Sequence, residues 1–154
     1  MIRVQREDFD VGAEIARIKA RRSDIGAIVT FTGTVRDRDG AVAAMTLEHY
    51  PGMTEAELAR VEAEACARFA LQASLIVHRY GTLEPGDNIV LVATASEHRE
   101  AAFEAARFLM DYLKTRAPFW KREDGPSGAR WVEAEARDEA ATARWSKEPA
   151  AKQP

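Results

Sequence analysis

Apolar positions recur along the chain at two spacings, every three to four residues and every second residue, which separate helices from strands. Asp10 is followed by Val11, Ile15 and Ile18 at helical spacing, so it is the expected N-cap of a helix over roughly 11 to 22. Ala27 to Val35 alternates, with Val29, Phe31 and Val35 on one face and Thr30, Thr32 and Thr34 on the other, and reads as a strand. Gly33 interrupts its apolar face, as glycine does at a bulge or at a close approach of backbone or ligand. Asp39-Gly40 predicts a hairpin turn that returns the chain along Val42 to Glu48.

Pro51-Gly52 closes that strand, and Thr54 with Glu57 has capping-box spacing for a helix to about Phe69, buried through Leu58, Val61, Ala65 and Phe69. Leu75 to Tyr80 and Asn88 to Ala95 are β-branched and apolar, separated by the turn Glu84-Pro85-Gly86-Asp87. From His98 to about Ala117, the stripe Ala102, Phe103, Ala106, Leu109, Met110, Leu113 predicts an amphipathic helix that Pro118 ends. Phe119 to Glu123 and Arg130 to Val132 read as short strands around Asp124-Gly125-Pro126. The class is α+β, with a largely antiparallel sheet carrying helices on one face. Residues 1–145 form one domain on this reading, and 146–154 a disordered tail.

With 31% charged and 46% hydrophobic residues, the composition is that of a soluble globular protein. A net charge of -3 argues against holding nucleic acid by overall attraction, so any anion site is local. Neither a signal peptide nor a membrane-spanning run is present in the sequence, which points to the cytoplasm. The single cysteine, Cys66, excludes an intrachain disulfide and a multi-cysteine zinc site, and reads as a small core residue. No metal-binding motif or Gly-rich phosphate loop is found.

Candidate chemistry concentrates in Asp111 to Glu123, where Lys114, Arg116, Lys121 and Arg122 surround a helix-to-strand junction rich in aromatics. Lys114 follows Phe103, Arg107 and Met110 along one helical line, at the edge of the apolar stripe. In the next strand, alternation puts Phe119, Lys121 and Glu123 on one face and Trp120 and Arg122 on the other. A tight turn at Pro118 lets both lysines face one cleft, where like charge and apolar walls favour a neutral amine. The plainer reading is a helix-end cation paired with Asp111. His98-Arg99 places cations at a helix start, which suits a bound oxyanion or neutralisation by Glu97 and Glu100. Arg36 suits phosphate or carboxylate recognition, or a surface pair with Asp37. His49 and His78 have no ligand-like spacing and read as structural. A Schiff-base lysine enzyme and an RNA-binding module remain open on these grounds.

Five segments stand out: Phe31-Thr32-Gly33-Thr34-Val35-Arg36, Leu47-Glu48-His49-Tyr50-Pro51-Gly52-Met53, His98-Arg99, Phe108 to Glu123, and Arg130-Trp131-Val132-Glu133. Together they resemble the large subunit of molybdopterin synthase, the MoaE family. The resemblance implies an α/β hammerhead fold and a homodimer at the centre of a heterotetramer. A small ubiquitin-like (MoaD-like) sulphur-carrier subunit sits at each end. Its thiocarboxylated Gly-Gly tail donates sulphur to cyclic pyranopterin monophosphate, two transfers giving the dithiolene of molybdopterin, with no cofactor. By the same resemblance Lys114 is the essential lysine beside the carrier's terminal glycine, and Lys121 assists by acid-base or electrostatic action. Arg36, His98 and Arg99 match substrate-binding positions, with Thr34, Val35, Arg122 and Glu123 in the adjoining segments. Position 34, often lysine in the family, is threonine here. Since sulphur arrives on the carrier, Cys66 is not required.

Overall fold

The computed structural model describes residues 1–132 and 136–146. The elements in order are β1 (Ile2–Gln5), α1 (Val11–Lys19), β2 (Ala27–Thr34), β3 (Ala44–His49), α2 (Met53–Phe69), β4 (Ala73–Arg79), β5 (Gly81–Leu83) and β6 (Asn88–Ser96). Then follow α3 (Arg99–Thr115), β7 (Phe119–Gly125), β8 (Gly128–Val132), α4 (Ala136–Ala143) and a 3-10 turn, Arg144–Ser146. Residues 147–154, most of the expected tail, lie outside the described residues, as does Glu133.

Two four-stranded sheets form, ordered β1-β4-β6-β2 and β5-β3-β7-β8. Every pairing is antiparallel except β1 with β4, so the fold is α+β as the pattern predicts. The expected hairpin between β2 and β3 does not exist. The Asp39-Gly40 turn is present, with positive φ at both residues and the Asp37 carboxylate accepting from the Gly40 and Val42 amides. It turns the chain out of one sheet and into the other, so β2 pairs with β6 and β3 with β5 and β7.

Helices cover both faces of the first sheet, not one. The even positions of β4 and β6, Ile76, Val90 and Val92, join Val61, Ala65, Phe108 and Leu109 of α2 and α3 in the main core. The odd positions, Leu75, Val77, Leu91 and Ala93, pack with Phe9 beneath Val11 and Ile18 of α1. Burial on both faces is why these two strands read as nearly continuous apolar runs. The main core also takes in Met45, Leu47 and Leu83 of the second sheet, which locks the two sheets together.

Local signals explain most helix ends. The Asp10 carboxylate accepts from the Ala13 amide at 2.7 Å, the predicted N-cap of α1, which stops at Lys19, short of the expected 22, before Arg21 takes positive φ. The capping box of α2 lies two residues earlier than predicted, with the Glu55 carboxylate accepting from the Gly52 amide. Thr54, fully buried, instead accepts from the Tyr50 amide and donates to the Pro118 carbonyl, tying the start of α2 to the end of α3. In α3 the buried aromatic is Phe108, whereas Phe103 is 62% exposed. The core takes the Ala102, Ala105, Ala106, Leu109 line, and the Phe103, Met110, Lys114 line falls at its edge. Cys66 is half-buried rather than in the core, its thiol 3.4 Å from the Ser74 hydroxyl.

Candidate active site

The end of β2, the last two turns of α3, and β7 enclose a cleft of about 460 Å³. Phe31, Met45, Ile89, Val90, Met110 and Leu113 give it apolar walls, and Arg36, Lys114, Lys121 and Glu123 its charge. Each charged group arrives by a separate local cause.

Pro118 ends α3, and the Arg116 and Ala117 amides both fold back to the Tyr112 carbonyl. The chain reverses at once into β7, which brings Lys121 to the same cleft as Lys114. Asp111 does not pair with Lys114. Its carboxylate accepts from the Trp145 indole at 2.7 Å and lies 3.6 Å from Arg144. Among the described residues Lys114 makes no ion pair, so the plainer reading of it as a paired helix-end cation does not hold.

Lys121 lies between Leu47 of β3 and Val132 of β8 in the second sheet. Burial, and next the charge of Lys114, hold its amine below the ordinary lysine range, against the opposing pull of Asp138 and Glu123. Glu123 is in turn bound by Arg130 at 2.9 Å. A lysine with a depressed pKa in a partly apolar cleft beside a second cation is fitted to exchange protons or to stabilise a forming anion.

Gly33 is both a bulge and a close approach. The β2–β6 register shifts between Gly33 and Thr34, and a Cβ on Gly33 would meet Val90 Cγ1 at 2.9 Å. The bulge carries Thr34 and Arg36 onto the cleft wall. Val35 between them is anchored by its backbone, donating to the Asp87 carbonyl and accepting from the Gly86 amide, while its side chain is in the core.

Thr34, Arg36, Lys114, Lys121 and Glu123 are thus brought together, and four other expected residues are not. Val35 does not present its side chain to the cleft. Arg122 points to the opposite face of β7, 3.2 Å from Asp124 and over the Trp131 ring, as strand alternation requires. His98 and Arg99 line a separate surface hollow with Gly26 and Glu97. Ala27 pairs with Ser96 and Thr34 with Asn88, so that hollow and the cleft lie at opposite ends of β2, about 24 Å apart along the strand. Sequence reasoning expected apolar walls without naming the residues that form them, and it missed Asp138 and, above all, His78, which lines the cleft. A histidine inside the buried run Leu75-Ile76-Val77 was the available signal. No cluster of metal-ligating side chains occurs among the described residues.

The MoaE protein family model matches residues 4–116, and these include every cleft residue up to Lys114. The chain belongs to the MoaE family. It is 58% identical over 147 residues to the molybdopterin synthase catalytic subunit of Mesorhizobium japonicum, covering 94% of this chain and 92% of that one, a span that includes Lys121. The Burkholderia ambifaria MoaE protein of molybdopterin biosynthesis superposes with a TM-score of 0.82 at 55% identity, over 96% of this chain and 99% of the other. A Helicobacter pylori structure, a complex of subunits 1 and 2 of molybdopterin-converting factor, shares the fold at TM-score 0.71 and 18% identity, over 88% and 91% of the two chains. The activity of this MoaE chain is accordingly that of the catalytic subunit of molybdopterin synthase, a sulphur-transfer enzyme of molybdenum-cofactor biosynthesis. Among the described residues no helix is long and apolar enough to cross a membrane.

Proposed function

We propose that Lys114 and Lys121 are the catalytic pair with which this chain moves sulphur from a carrier's thiocarboxylated C-terminus onto cyclic pyranopterin monophosphate. The observation that carries this reading is the convergence of two lysines in one cleft, one of them with a depressed pKa and the other unpaired among the described residues. In this reading Lys114 binds the thiocarboxylate, and Lys121 supplies or removes a proton and stabilises negative charge as each carbon–sulphur bond forms. Arg36, on the exposed rim, takes the substrate phosphate, with the Thr34 hydroxyl beside it. Glu123 restrains Lys121 and Arg130, and Arg122 supports β7 from its other face.

The partners we infer are a second copy of the chain and a small ubiquitin-like carrier at each end of the dimer, as the subunit complex of the Helicobacter pylori relative suggests. Exposed Phe31 in the cleft, and exposed Tyr50, Met53, Phe103 and Trp120 beyond it, supply apolar surface for such contacts. His98 and Arg99 serve as substrate ligands only for the second copy's cleft, because their own lies at the far end of β2. We read residues 1–145 as one working unit in the cytoplasm, without nucleic acid, membrane or cofactor.

The test is reconstitution. Purified chain with thiocarboxylated carrier and cyclic pyranopterin monophosphate is expected to form molybdopterin, while carrier with an ordinary C-terminal carboxylate gives none. Absence of product from the intact mixture rejects the reading.

A further inference from the structure

We propose that His78 is a positioning residue for Lys121, its Nε2, which has no hydrogen bond among the described residues, being the acceptor toward which the lysine amine turns to be held in the cleft. The inference rests on the cleft being the active site, and it begins from a histidine in a place that chemistry does not otherwise explain.

His78 lies on β4 and is 5% exposed, in a strand whose neighbours are apolar. A buried imidazole is costly unless its polar atoms are satisfied. Its Nδ1 is 2.9 Å from the Arg79 carbonyl oxygen. A carbonyl only accepts, so Nδ1 carries the proton and Nε2 keeps its lone pair. Among the described residues the ring makes no other hydrogen bond, which leaves Nε2 as an acceptor in a residue that lines the cleft.

The ring is also held in plane. It stacks on Phe119 with centroids 3.6 Å apart and 15° between planes. Phe119 and Lys121 are alternate residues on the same face of β7, so the stack sets the imidazole beside the root of the Lys121 side chain. Lys121 is itself one of the charges acting on His78.

Burial, chiefly, lowers the His78 pKa to about 4, with Lys121 and His49 pushing the same way against the Arg79 carbonyl. At neutral pH the ring is therefore an uncharged acceptor and not a third cation. The proton stays on the lysine, the stronger base, so His78 orients the amine and does not titrate with it. The charged and titratable groups around Lys121 are Lys114 from α3, Asp138 from α4, Glu123 on β7 and Arg36 after β2. His78 comes from β4, and His49 of β3 lies behind Phe119. None of the charged groups among them offers a neutral acceptor.

An acceptor stabilises the ammonium form, so its loss lowers the Lys121 pKa further. The decisive measurement is the pH dependence of Lys121 acylation, read by mass spectrometry of the full chain in wild type, His78→Phe and His78→Gln. Phenylalanine keeps a ring on Phe119 and removes the acceptor, whereas glutamine keeps an acceptor and removes the stack. In His78→Phe the Lys121 midpoint is expected to fall by about one pH unit, and in His78→Gln to stay near wild type. The pH limb of kcat should move with it while KM for the pterin is unchanged. An unmoved midpoint in His78→Phe, or equal shifts in both variants, overturns the proposal. If circular dichroism shows His78→Phe unfolded, His78→Gln decides alone, and a one-unit fall there overturns it. Should Lys121 titrate as expected while Lys114→Ala retains full turnover, the catalytic reading fails and the positioning of Lys121 stands.

Discussion

Lys114 and Lys121 line one cleft from consecutive elements, and the charge of Lys114 is the second cause, after burial, of the depressed Lys121 pKa. Replacing Lys114 by alanine removes both a ligand for the carrier tail and a like charge. Molybdopterin formation is expected to fall by at least about 100-fold. The Lys121 pKa should rise only part of the way to 10.5, because burial, the larger cause, remains. Lys114→Arg keeps the charge, and with it the depressed Lys121, yet should still lose activity because the guanidinium does not reproduce a compact amine. Comparing single-turnover rates of the two variants separates the charge from the amine.

His78 ties stability to pH. Its folded pKa, about 4, lies below its ordinary 6.5, so between those values the unfolded state binds a proton that the folded state refuses. Stability from this group is complete above pH 6.5 and is lost as pH falls toward 4, at up to about 1.4 kcal/mol per pH unit. Urea unfolding at pH 7 and pH 5.5 should show a larger loss for wild type than for His78→Phe. Equal losses would place the acid sensitivity elsewhere.

Helices α1, α2 and α3 were legible in the sequence because each presents one stripe to one core and carries its own end signals, Asp10 before α1 and Pro118 after α3, whereas α4 was not read from it. The meeting of Lys114 and Lys121 was legible for the same reason, since a helix end, a proline and a strand start fix it within eight residues. The strand partners were not. Asp39-Gly40 states that the chain turns, but no local feature states whether the flanking strands pair, and the partner of Thr34 is Asn88. Strand alternation alone already placed Arg122 away from Lys121, and the structure agrees with that pattern rather than with the family segment that includes both.

Two glycines should respond differently to alanine. A Cβ on Gly125 would meet the Ala41 carbonyl oxygen at 2.1 Å, a backbone atom that cannot move without disturbing the approach to β3. On Gly33 the obstacle is a Val90 methyl at 2.9 Å, which can rotate. We expect Gly125→Ala to cost about 3 kcal/mol and Gly33→Ala about 1 kcal/mol. Because Gly33 sits at the bulge that presents Arg36, its variant should lose more activity than stability. Chemical denaturation alongside a turnover assay checks both.

Arg36 is exposed at the cleft rim and holds no ion pair among the described residues, so removing it should leave the fold intact. A charge-assisted bond to phosphate is worth about 1.5–3 kcal/mol, which predicts a rise in KM for the pterin of about 10- to 100-fold in Arg36→Ala. An unchanged KM would move the phosphate away from this wall.

His98 and Arg99 allow the sharpest test of the dimer. Within one chain they are a strand length from Lys114, so they act on substrate only if each cleft is completed by the other copy. Lys114→Ala and a His98→Ala, Arg99→Ala double variant should each be nearly inactive alone. Mixed and allowed to exchange subunits, half the dimers become hybrids. In every hybrid one cleft carries both defects and the other carries neither. Activity should then recover to about a quarter of wild type. Were His98 and Arg99 to serve their own chain, each hybrid cleft would carry one defect and no recovery would appear, so the yield of the mixture distinguishes the two arrangements.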